Sequence, residues 1–245
     1  VKRLLLWALA LAFCALFIRA GFWQIGRAEA KEIELAEASA VLAERRITPL
    51  ALAEARPPAW VELEGEFTDA PPLRLDNQRR GARVGVQVYR GFRTVEGRKL
   101  WVDIGWRVLP GNRQLPAEPA PPTGPQLLRG LLVPPPAAGL PIGPALSPAT
   151  DGGWLALRLV PTSLAAAWQP PAVASASPVP AGDPARLDTL VLRLDPALPL
   201  GYERDLDLLA NTLPPEKHRG YALQWFGFAA GLLFLSLYLQ FRRRP

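Results

Sequence analysis

The sequence predicts a membrane protein in which two transmembrane helices flank a mainly β extracytoplasmic domain, sandwich or barrel-like and α+β in class. Three observations carry this. An uncharged apolar run lies near each end of the 245-residue chain. Cations gather beside those two runs. The stretch between them shows the two-residue alternation of half-buried strands, punctuated by proline-rich segments.

Leu4 to Ile18 holds fifteen residues without a charge, and apolar character resumes after Arg19 up to Gly26. A helical span needs about 20 residues at 1.5 Å rise, so 4–26 suffices if Arg19 snorkels its guanidinium to the headgroups. Tyr221 to Phe241 gives twenty-one uncharged residues and stops at Arg242-Arg243-Arg244. Lys2-Arg3 and the arginine triplet place both termini in the cytoplasm by the positive-inside rule, with 27–217 across the membrane. Ala28-Glu29-Ala30 also fits a signal-peptide cleavage pattern. Against cleavage, the helical pattern runs on through Ile33, Leu35, Ala36 and Leu42, and 28–45 reads as a continuing stalk.

Thr48-Pro49 and Pro57-Pro58 break that helix, and the pattern turns to β. Val61, Leu63 and Phe67 alternate with Glu62, Glu64 and Glu66. Val84, Val86 and Val88 alternate likewise, as do Leu100, Val102, Ile104 and Trp106 after a turn at Glu96-Gly97, so 84–107 reads as a hairpin. Further strands are expected at Leu73–Asn77, Gln126–Val133, Trp154–Leu159 and Leu187–Leu194, with a short helix at Pro161–Trp168. Twelve prolines in 110–148 and five in 170–184 predict extended loops. About seven strands suit a sandwich or barrel. The organisation is then a first span with a short cytoplasmic N-terminus (1–26), a membrane-proximal helix and linker (27–58), a mainly β periplasmic domain (59–212), a second span with its outer first turn (213–241) and a cytoplasmic tail (242–245).

Composition excludes several functions. One Cys and one His cannot supply a disulfide framework or a structural zinc site, and the absence of Met argues against a copper(I) chaperone. The net charge of +6 and the pI near 10 would normally raise nucleic-acid binding. Four cations in 1–27 and five in 217–245, with no carboxylate in either, leave 19 Lys+Arg against 22 Asp+Glu in 28–216. The excess belongs to the membrane ends, so no nucleic acid is expected as a partner. A periplasmic hydrolase would have to recruit the sole His at the membrane surface, and no G-x-S-x-G occurs. No catalytic residues are assigned.

That His is His218, expected in the first turn of the second span, with Asn211 or Thr212 as its cap and Pro214-Pro215 suiting the first turn. Tyr221 and Trp225 follow at i+3 and i+7 on one helical face. Such an imidazole beside aromatics can coordinate haem iron, and Lys217, Arg219 and Arg27 can pair with propionates. On chemistry alone, a His beside Tyr and Trp at a span end is more often a water-facing member of an aromatic belt. Trp23, Gln24 and Arg27 occupy the outer end of the first span, either as interfacial anchors or as the other wall of a site. Both clusters fall at one membrane depth, so packed helices bring them together.

Trp23-Gln24-Ile25-Gly26-Arg27, with Lys31, resembles the first-span signature of the surfeit locus protein 1 family. The run from His218 through Tyr221 and Trp225 to Gly227 resembles the second. Leu100-Trp101-Val102-Asp103-Ile104-Gly105-Trp106 aligns with a strand that in the family commonly reads Val-Asn-Arg-Gly-Trp, so Asp103-Ile104 replaces Asn-Arg. Gly65-Glu66-Phe67 and 77–85 also fit. The resemblance implies a non-enzymatic assembly factor of cytochrome c oxidase in the cell inner membrane. It would bind haem a transiently, with His218 as ligand to the iron and Tyr221, Trp225, Trp23, Gln24 and Arg27 around it. Implied partners are the oxidase catalytic subunit, other assembly or haem a synthesis proteins, and membrane lipid. The alternative is a scaffold that stabilises an oxidase intermediate without haem.

Overall fold

A computed structural model describes residues 2–111, 117–171, 185–207 and 213–242. Asn211 and Thr212, Arg243 and Arg244, and most of the 170–184 loop lie outside the described residues. The chain divides into two compact units, Val1–Glu37 with Thr212–Pro245, and Ala38–Asn211. The division falls within the first helix.

The first unit is a helical hairpin. α1 (Lys2–Glu44) runs 43 residues without a break. The sequence favours this: Ala, Leu and Glu dominate, and no proline occurs before Pro49. Its antiparallel partner is the helix Pro215–Phe241, designated α4 below. Both are long and apolar enough to cross a membrane. Their outward faces are bare hydrocarbon, with Leu4 76%, Leu223 74% and Phe234 71% exposed, a surface that water would not tolerate. Burial recurs every seven residues: Cys14, Gly21 and Ala28 on α1, and Pro215, Ala222 and Ala229 on α4. A seven-residue repeat of packed positions is the coiled-coil period. Small residues at these positions, Pro215 apart, let two backbones approach closely without a hydrophobic driving force between them. The Sγ of Cys14 reaches the carbonyl of Ala229 at 3.5 Å. A Cβ on Gly21 would stand 2.6 Å from the Phe226 ring.

The second unit opens with α2 (Leu50–Ala55), a six-residue turn absent from the sequence expectation, where 27–58 ends as linker. It survives between two proline breaks because Leu50 and Ala53 bury against the sheet. Eight strands follow: β1 (Ala59–Phe67), β2 (Leu73–Arg80), β3 (Arg83–Thr94), β4 (Lys99–Val108), β5 (Gln126–Val133), β6 (Leu146–Pro148), β7 (Trp154–Ala156) and β8 (Arg186–Leu194). α3 (Pro161–Ala166) lies between β7 and β8. The sheet order is β1-β5-β8-β4-β3-β2-β7-β6, with β1 also paired to β3. That extra pairing closes β1-β5-β8-β4-β3 into a five-stranded ring, so the barrel-like form holds. β3 makes the closure possible by serving two strands along the edge opposite β4: Val84 to Tyr89 pair with β2, and Phe92 to Thr94 pair with β1.

The barrel interior holds Val61, Leu63, Val86, Val88, Leu100, Val102, Ile104 and Leu192, the residues whose alternation is visible in sequence. A second core lies outside the barrel wall, where Trp101, Tyr89, Leu73 and Val191 meet Trp154 and the α3 residue Leu164. β4 is therefore buried on both faces, not one. The indole of Trp101 donates to the Leu164 carbonyl at 3.1 Å, which anchors α3 to the wall. The expected strand Trp154–Leu159 stops at Ala156, because the chain leaves the edge of β2 there to enter α3. β6 was not expected within the 110–148 loop; three residues ending in Pro148 leave no period to detect.

One buried charge is closely matched. Arg74, fully buried, holds Asp151 through both terminal nitrogens and Glu118 through Nε at 3.3 Å, while Tyr202 donates to Glu118 at 2.6 Å. This cluster ties the loops at 118 and 151 to β2.

Candidate functional site

The residues selected from sequence converge in the hairpin unit. Pro214 stands at the N-cap of α4, with Pro215 in the first turn; Asn211 and Thr212, the expected caps, lie outside the described residues. His218 is the fourth residue of the helix, where its N–H meets the Pro214 carbonyl at 3.5 Å. Its side chain points along the packed seam, one turn before Ala222. On α1, Gln24 lies between the buried positions Gly21 and Ala28 and faces the same seam. The two side chains meet: His218 Nδ1 lies 2.7 Å from Gln24 Oε1.

An amide oxygen has lone pairs and no proton, so Nδ1 donates. The neutral ring carries one N–H, which leaves the lone pair on Nε2. Ligating histidines commonly show this arrangement, with one nitrogen hydrogen-bonded to an oxygen and the other free to coordinate.

The remaining sequence-selected residues are distributed unevenly. Trp225, one heptad beyond His218, packs on Phe17 at 5.7 Å and on Phe228 at 5.9 Å between centroids. It forms the next layer of the same seam. Tyr221 is 43% exposed and Trp23 61% exposed, and Arg27 is exposed as well. These three flank the seam without joining it.

Sequence reasoning missed Glu32. Its carboxylate pairs with Arg219 across the hairpin at 2.9 Å. The available signal was one acid and one base at matching ends of two helices expected to pack. Lys217 remains exposed. The site therefore presents one nitrogen donor, held by an amide, in a rim of exposed aromatic and cationic side chains. No group of three or more His, Cys, Asp or Glu able to hold a metal ion occurs among the described residues. A separate cavity of about 380 Å³ in the β unit is lined by Arg93, Lys99, Arg186 and Trp168, among others, and contains none of the sequence-selected residues.

A search of curated proteins finds no match to the chain. The model of the SURF1 family matches residues 11–230, a stretch that takes in both helix motifs and the whole β unit. Apolar helices near the two ends of a sequence whose middle forms a barrel, the motif residues at His218 and Gln24, and a match over most of the length agree: the chain belongs to the SURF1 family, which serves cytochrome c oxidase assembly.

Proposed function

We propose that this protein holds haem a through His218 and passes it to the catalytic subunit of cytochrome c oxidase, acting as a carrier and catalysing no reaction of its own. The observation that supports this is the 2.7 Å contact between the only imidazole of the chain and Gln24. A bare metal ion would need several protein ligands, and the described residues do not group them. A haem needs only an axial donor, because the porphyrin supplies its own in-plane nitrogens. The residues thus fit a haem and not a free ion. Bound, the haem would bring a redox-active iron destined for the oxidase. Trp23 and Tyr221 offer ring surface to a macrocycle, and Arg27 and Lys217 offer charge to propionates. A single axial bond is compatible with release, which a carrier requires.

The protein works in the inner membrane on this reading, with both termini cytoplasmic and the β unit periplasmic. It cooperates there with other assembly or haem a synthesis proteins.

The test is a haem spectrum and pigment analysis of full-length protein purified from cells that make haem a. His218→Ala removes the axial nitrogen and should abolish the bound-haem spectrum. Arg27→Ala should lower occupancy less, since one charge-assisted hydrogen bond contributes about 1.5–3 kcal/mol. Trp225→Phe should lower it least. Unchanged occupancy in His218→Ala defeats the axial assignment. If oxidase assembly also stays normal in that variant, the haem-free scaffold becomes the better account.

A further inference from the structure

Gln24 and His218 are 194 residues apart in sequence, and their bond is half-buried in the seam of the hairpin. The neighbouring layers hold them in place. On one side, Phe17 and Trp225 stack across the seam. On the other, α1 presents Ala28, which has no exposed surface. Beyond it, Glu32 and Arg219 pair across the hairpin. Gln24 projects from the helix opposite His218, so it can fix the imidazole in a way that no residue of α4 does.

We propose that Gln24 is a positioning residue. By accepting the Nδ1 proton of His218 it fixes the ring in the Nδ1–H tautomer and sets its rotation, so that Nε2 faces outward as the ligand to a haem. This rests on the haem-carrying reading above. The physical need is specific, because an unconstrained neutral imidazole favours the Nε2–H form, which places the proton on the nitrogen that must coordinate. Gln24 reverses that preference before the cofactor arrives. An outer partner of this kind typically changes ligand binding by about 10–100-fold.

His218 is the only histidine, so labelling with [15N]histidine reports this ring alone. In detergent-solubilised full-length protein without haem, at a pH where the ring is neutral, wild type should give the nitrogen shifts of the Nδ1–H tautomer. Gln24→Leu should give the Nε2–H form, and Gln24→Glu, which keeps an acceptor at the same reach, should retain Nδ1–H. Titration with haem, read at the Soret band, should weaken by about 10–100-fold in Gln24→Leu and recover in Gln24→Glu. The iron–histidine stretching frequency should move in the leucine variant. An Nε2–H ring in wild type overturns the proposal whether or not haem binds, as does a Gln24→Leu ring that stays Nδ1–H. A wild-type Nδ1–H ring that binds no haem defeats the carrier reading, and the ligand-presenting role with it. The apo tautomer measurement thus separates the two failures.

Discussion

Asp103 and Asp151 show how one residue type acquires opposite roles. Asp103 is buried in β4, where its Oδ1 accepts from Gln87 and from the Gly105 amide at 3.0 Å. Burial pushes its carboxyl above the ordinary 3.8, while the charges of Arg193 and Arg80 and the two hydrogen bonds pull it partly back. Asp151 is held below the ordinary range, chiefly by its hydrogen bonds from Arg74. The signs follow from proton linkage. A raised folded value means that the native state binds the proton more tightly, so Asp103 contributes stability at low pH that is lost as pH rises through the folded value. Asp151 contributes stability above its unfolded value that is lost as pH falls through its lower folded one. Asp103→Asn keeps the acceptor oxygen and removes the buried charge. Its melting temperature should exceed wild type at neutral pH, and the gain should shrink on acidification. Each ~1 kcal/mol moves the melting point of a chain this size by roughly 2–4 °C. Thermal melts of the full-length protein at two pH values measure this. Asn is also the residue that the family resemblance implies at this position. At this scale the convergence of His218 and Gln24 was legible, because both residues sit at ends of apolar runs expected to pack. Their bond was not, since hydrogen-bond partners 194 residues apart leave no local pattern.

Elements were legible where their two faces differ. β1 was plain because Glu62, Glu64 and Glu66 mark its solvent face. The double burial of β4 was not, since a strand covered on both sides loses polar contrast. The same reason hid the seam of the hairpin. A helix that faces hydrocarbon on one side and another helix on the other is apolar all round, so the spans were evident and their packed faces were not. The seam shows instead in residue size. Gly21 tests it: a Cβ there would meet the Phe226 ring at 2.6 Å, whereas one on Gly26 would meet nothing within 4 Å. Gly21→Leu should therefore lower the melting temperature of the detergent-solubilised protein and reduce haem occupancy. Gly26→Leu should leave both near wild type. Overpacking of this kind typically costs about 1–3 kcal/mol. Equal melting points for the two variants would contradict the seam.

For the whole molecule, the distribution of charge sets the predicted topology. Cations flank the apolar runs at both ends, and 28–216 carries the excess of acid. A reporter fused after Pro245 should be active only in the cytoplasm, and one inserted in 110–148 only outside. Activity of the terminal fusion outside would overturn two spans with inward termini, and a mature protein starting near Lys31 would favour a cleaved leader. The two long apolar helices were legible because membranes impose length and charge rules that are local to each span. The sequence did not reveal the ring closure, which depends on β3 bending between two partners.

That ring has a consequence for biogenesis. β8 lies between β4 and β5, parallel to the first and antiparallel to the second. Until residue 194 has emerged, those two strands expose unpaired edges to any passing chain. The barrel cannot form progressively as the polypeptide is made; it must wait for its last strand and then seal at once. The closing contacts are far apart in sequence, which slows folding and lengthens the exposed interval. Synthesis of this domain thus produces a vulnerable intermediate each time, ended only when β8 slots into place.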